Sequence, residues 1–284
     1  SAQFAEGKIE LINTLDTKMT DVEVVAKFSG NAFDSSMVTT NDGFYDTNKQ
    51  SVTWNSQTAN KLQSFDPGDS ETVGFRFKPL NFSTTNIKNP EINIELSVRA
   101  RQPSLGNLFR EIDNYVEKKI KYGSSMQITG NALYNSGPFV NTGPLPPKPG
   151  SPTTYTIVWN VVNGNNKISE AKATTTLPLY VTWKDKISPT SQDVTYNTST
   201  HEVTWDIGTL EPFVGTSTSA RQVYFQVELN PSGSQSGSVV NLTSDTVLRG
   251  KDSFTGAELN RTLQNITTRL NLDSNYNATN DKVE

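Results

Sequence analysis

The chain has no cysteine in 284 residues. That excludes disulfides, thiolate nucleophiles and cysteine-ligated zinc. It has one histidine, His201, lying between Tyr196 and Val203 with no serine or aspartate partner indicated by spacing. A His-based triad and a histidine-rich metal site are therefore not expected. No apolar run approaches the ~18–20 residues of a helical membrane span. Lysine and arginine (25) and aspartate and glutamate (29) are scattered, giving a net charge of −4. A basic face for a phosphate backbone is missing, so nucleic acid is not an expected partner.

What is present is short, alternating and β-branched. Runs at 8–13, 22–28, 51–54, 72–77 and 92–100 read as strands, and so do runs at 124–134, 154–162, 171–177, 203–205, 222–229 and 240–250. Turn signals such as DPGD (66–69) and NPSGS (230–234) separate them. Many short strands at this spacing, without helices between them, predict sandwiches. Leu105, Leu108, Phe109, Ile112, Tyr115 and Val116 follow a helical spacing. An internal repeat outweighs it: 104–113 is expected to be a loop, and 115–122 the last strand of a first domain.

That repeat is most visible in one phrase. YDTNKQSVTWN begins at Tyr45, and YNTSTHEVTWD follows 151 residues later at Tyr196. Val52 and Trp54, and Val203 and Trp205, share one strand face in each copy, which predicts core anchors. The offset divides the chain into two tandem Ig-like β-sandwiches, residues 1–122 and 123–272, followed by a polar tail, 273–284. The second copy carries an opening strand (124–134) and a Pro-rich strap (135–154), with Pro138, Pro144, Pro146, Pro147, Pro149 and Pro152. The first copy begins almost at its second strand, so its opening strand is expected to be absent or reduced to SAQFAEG, with the chain either the C-terminal part of a longer protein or given that strand by another chain.

The segment running from YNSGPFVNTGPLPPKPGSPTTYTIVWN to LPLYVTW and then VTWDIGTLEP resembles the conserved-repeat Ig-like modules of bacterial surface proteins. GNAFDSS, GFYD, VTW and DPGDSETVGFRFKP are similar to the module that precedes it. The pair resembles the C-terminal part of large membrane-anchored surface proteins of candidate-phyla bacteria. The resemblance implies an extracellular protein at the bacterial cell surface, held to a membrane only through an anchor outside this chain. Its partners would be other domains of a longer surface protein or identical subunits.

Sites of chemistry are sparse. Asp42 and Asp46, and Asp66, Asp69 and Glu71, sit in turns, where aspartate serves turn geometry. They show neither an EF-hand pattern nor a dense acidic loop for calcium. No catalytic residue, cofactor or metal is expected, and the chain is read as non-enzymatic. Phe44, Tyr45, Tyr180, Trp183 and Phe213 are the aromatic candidates for stacking on a sugar; paired aromatics in sandwich strands are expected in the core, and Phe213, in the EPFVG turn, is the one in an obvious turn. Three readings follow: a structural stalk or adhesion element, a self-assembling filament or surface-layer subunit completed by strand donation, and a carbohydrate-binding module with glycans or a partner cell surface as its target.

Overall fold

The computed structural model describes residues 4–82, 85–104, 108–274 and 277–284. The chain divides into two compact units, Ser1–Tyr122 and Gly123–Glu284. Each is an antiparallel two-sheet sandwich around its own core. The fold is all-β.

Domain one contains β1 (Ala5–Ile12), β2 (Met19–Ser29), β3 (Phe33–Asn41), β4 (Phe44–Asp46), β5 (Ser51–Trp54), β6 (Ser64–Phe65), β7 (Ser70–Pro79), β8 (Glu91–Pro103) and β9 (Phe109–Lys121). One sheet runs β1-β7-β3 and the other β4-β5-β2-β8-β9, with β6 paired to the start of β2. Alternation places Val24, Ala26 and Phe28 of β2 and Val73, Phe75 and Phe77 of β7 inward, all buried. Phe28 meets Phe75 across the sheets edge to face, with ring centroids 4.9 Å apart.

Domain two contains β10 (Met126–Leu133), β11 (Thr153–Asn163), β12 (Ile168–Thr176), β13 (Val181–Ser188), β14 (Asp193–Asn197), β15 (Glu202–Leu210), β16 (Arg221–Leu229), β17 (Thr246–Asp252) and β18 (Glu258–Leu263). Its sheets are β10-β11-β16-β13 and β14-β15-β12-β17-β18. Four strands against five is the division of an immunoglobulin variable domain. The chain order differs, because the edge pair β14–β15 follows β13 rather than preceding it. Trp159 of β11 and Trp205 of β15 stack across the core, centroids 6.5 Å apart.

The doubled phrase is the β4–β5 and β14–β15 hairpin. Asp46 Oδ1 accepts the Asn48 and Lys49 N–H groups (2.9 and 3.1 Å). Asn197 Oδ1 accepts those of Ser199 and Thr200 (2.9 and 3.2 Å). These Asx turns fold the loop back, and each loop closes on a left-handed residue, Gln50 (φ 52°) or His201 (φ 57°). Trp54, Val52, Trp205 and Val203 then lie at 0% exposure in their cores. The indole N–H of Trp54 donates to Asn41 O (3.1 Å) and that of Trp205 to Gln192 Oε1 (3.2 Å).

Two sequence expectations need correcting. Residues 109–121 form one continuous strand, so the second half of the expected loop, 109–113, belongs to β9. Ile112 and Val116 are four apart, and a spacing of four shares one face in a strand as well as in a helix. Leu105 lies outside the described residues. The second concerns 273–284, whose described residues pack onto domain two instead of trailing from it. Val283 is buried in the core, its N–H donates to Ser238 O (3.0 Å), and Lys148 Nζ pairs with Glu284 (2.6 Å).

Candidate strand-binding groove

Eight strands of each domain match in their hydrogen-bond registers. In β7 and β16, Phe75 lies opposite Gly7 and Phe225 opposite Ile157. Val73 lies opposite Ile9, and Val223 opposite Trp159. Val24 sits between Trp54 and Val98, and Ala173 between Trp205 and Leu248. Even the bulges match, since β2 and β12 each shift register beside a left-handed residue, Asp21 or Glu170. On this map β1 corresponds to β11, β7 to β16, β8 to β17 and β9 to β18.

In domain two one strand has no counterpart. β10 flanks β11 in domain two, pairing antiparallel from Met126↔Asn163 to Leu133↔Thr156. Among the described residues of domain one, nothing occupies that place beside β1, which ends its three-stranded sheet. The burial record follows. β11 is buried at nearly every position, whereas β1 alternates half-buried and exposed throughout. Ile12 and Leu15 at its end stay exposed.

Beside that edge lies a groove of about 610 Å³. Ile9 and Leu11 of β1 form one wall, Leu96, Val98 and Ala100 of β8 the floor, and Ile112 and Val116 of β9 the other wall. In domain two, β10 covers the matching region with Met126, Ile128 and Ala132, all buried. The uncovered residues show what this strand does. Leu248, the match of Val98, is fully buried and Val98 only partly so. Val116, at the place of Leu263, points inward and is 55% exposed.

An open strand edge presents unpaired N–H and C=O groups and invites further pairing. The neighbouring open edge, β9, carries Glu111, Asp113, Glu117, Lys118 and Lys119, the charge pattern that discourages pairing. The β1 edge instead borders apolar side chains. Chemically, the arrangement offers main-chain hydrogen bonds along β1 and alternate apolar pockets beneath them, the two components of strand addition.

Sequence reasoning passed over one pair of residues at this site. Asn13 ends β1 and Asn163 ends β11, and both are buried. The Asn13 amide donates to Thr17 O (3.0 Å) and Phe65 O (3.1 Å), tying the loop after β1 to the other sheet. Asn163 does the same towards Asn166 O (2.7 Å) and Glu211 O (3.0 Å). The signal was a second recurrence in the sequence, IELIN against VWNVVN at a 150-residue offset.

Phe213 is a correction. It is 8% exposed, inside the turn and not on its surface. Its N–H donates to Gly164 O (2.7 Å), and its carbonyl accepts from Thr216 and Ser217 N–H. That inward turn leaves no ring face for a sugar. His201 Nδ1 lies 2.9 Å from Tyr196 Oη within its own hairpin. The turn carboxylates are engaged locally: Asp69 accepts Asp66 N–H (2.9 Å), Lys61 pairs with Glu71 (3.0 Å) and Lys18 with Asp66 (3.4 Å). Among the described residues no three of His, Cys, Asp and Glu gather to hold a metal ion, and no helix is long and apolar enough to cross a membrane.

Neither a protein-family profile nor a curated protein sequence matches the chain. Among solved structures it is similar to the major pilin subunit BcpA of Bacillus cereus, at 10% identity over 93% of this chain and 69% of that one, TM-score 0.33. It is also similar to the C-terminal domain of the antigen I/II-family protein AspA of Streptococcus pyogenes, at 10% identity over 94% and 92%, TM-score 0.27. A third is the major pilin SpaD of Corynebacterium diphtheriae, at 11% identity over 88% and 59%, TM-score 0.30. Likeness at this level assigns no role to any residue.

Proposed function

We propose that the chain is a non-catalytic structural element of a bacterial cell surface, and that its first domain accepts a β-strand from outside residues 4–284. One observation carries the reading: the unpaired β1 edge borders an apolar groove at the place where β10 completes the second domain. The repeat phrases and the strap, through their resemblance to surface-protein modules, support the location. The buried Trp hairpins support a rigid scaffold role, since their polar loops are consumed by turn geometry. Strand acceptance would join this element to its neighbours through main-chain hydrogen bonds, as a stalk or an assembling subunit requires.

The absence of cysteine makes a clean test available. With Lys8→Cys in the full chain, a peptide based on residues 125–134 and carrying cysteine in place of Asn131 is expected to form a disulfide. Lys8 matches Val158, which faces Asn131 across β10–β11. Cysteine in place of Gln127, which faces Val162, should not cross-link. Failure of both peptides would contradict strand acceptance. Antibody labelling of intact cells tests the location, and labelling only after permeabilisation would contradict it.

A further inference from the structure

The groove of domain one is not a copy of the space that β10 fills. In domain two the centre of that space is occupied from below. Gly130 lies opposite Trp159, and a Cβ added to it would stand 2.8 Å from Trp159 Cδ1, 2.9 Å from Leu263 Cδ2 and 3.0 Å from Ile266 Cδ1. The crossing strand must therefore be glycine at this point. In domain one, Ile9 replaces Trp159 and Val116 replaces Leu263. Both neighbours shrink, and Ile9 and Val116 line the groove together with Leu96 and Val98.

From this difference in size we propose that the groove takes a strand from outside residues 4–284, laid antiparallel to β1, with a large apolar side chain where β10 has Gly130. The inference rests on strand acceptance and adds the partner's chemistry. The donor carries apolar residues at alternate positions, as Met126, Ile128 and Ala132 do in β10. Its central inward residue is leucine-sized, filling the volume between Ile9, Val98 and Val116. A second copy of this chain does not supply it, because β10 is built into its own core and its glycine would leave the centre of the groove empty.

The test uses the full chain and three fluorescent peptides followed by anisotropy. One has the sequence of residues 125–134, SMQITGNALY. A second carries leucine in place of Gly130, and a third carries aspartate in place of Ile128. The leucine peptide is expected to bind about tenfold more tightly than the glycine peptide, in line with burial of one aliphatic side chain. The aspartate peptide should not bind. Val116→Arg, a change at an exposed position whose folding circular dichroism checks, should abolish binding of the leucine peptide. Equal affinity of the leucine and glycine peptides overturns the proposed chemistry and leaves strand acceptance standing, whereas no binding by any peptide overturns both. Concentration-dependent dimers in sedimentation that are lost with Val116→Arg would assign the groove to a second copy and overturn the proposed leucine-centred donor.

Discussion

Ile9 stands where Trp159 stands in the second domain. Each faces a valine on the next strand, Val73 or Val223, yet Trp159 is fully buried and Ile9 is half-buried. The difference reflects what lies beyond the strand. β10 covers Trp159 from the side, and the matching flank of Ile9 is open.

The tryptophans of the repeated hairpins are predicted to hold the cores independently. Trp54→Ala and Trp205→Ala should each destabilise their own domain by ~3–5 kcal/mol, the usual result of emptying a buried aromatic site. Amide exchange resolved by domain would check this. The Trp54 change should accelerate exchange in residues 4–122 and leave the second domain near its starting level.

Domain two is predicted to lose stability in acid. Asp252 and Asp273 are buried, which by itself raises a carboxyl pKa. For Asp252 that effect is outweighed by hydrogen bonds from Asn166 Nδ2 and the N–H groups of Ser124, Thr255 and Phe254, leaving its pKa below the ordinary value. Asp273 is likewise lowered against its burial by donors from Asn135, Ser136 and Tyr134. A carboxyl whose pKa is depressed on folding stabilises fully above its unfolded value of about 3.9 and loses that contribution as pH falls through the folded value. Melting of the second domain should therefore shift down below about pH 4. Asp273→Asn should lower its melting temperature at neutral pH and flatten the acid dependence.

The C-terminal segment is predicted to be part of the second domain's stability. Val283→Ala should cost about 1–2 kcal/mol by removing two buried carbon groups. Val283→Asp should cost more, since a charge would replace an apolar side chain in the core. Denaturant unfolding of the full chain in a Trp54→Phe background, where the remaining tryptophans Trp159, Trp183 and Trp205 all report on domain two, would measure both.

Much of the fold is legible in the sequence because alternation and repetition report directly on strands. The VTW phrase marks a core strand at first reading, since a tryptophan two residues from a valine lies on the same face. β3 and β13 are less visible. DSSMVTT carries mostly polar residues because one side of β3 faces solvent, and pattern alone does not separate such a strand from a loop. The C-terminal segment reads as a tail because Asp273 and Asp281 are charged, although Asp273 is consumed in hydrogen bonds to residues 134–136. The candidate site was legible as an absence, an opening strand present in one copy and not the other. Its lining was not, because Leu96, Val98, Ile112 and Val116 come together only when β8 and β9 pair opposite β1. The central volume needed one more step, the replacement of Trp159 by Ile9 and of Leu263 by Val116, which only the paired registers reveal.

The central claim is that β1 is an acceptor edge, and amide hydrogen exchange along β1 tests it most directly. Adding the leucine-centred peptide to the full chain should slow exchange at alternate residues between Lys8 and Ile12, whose N–H groups point away from β7. Exchange along β3, at the opposite edge of the same sheet, should stay as it was. Exchange along β1 that is unchanged when the peptide is in saturating excess would contradict the account.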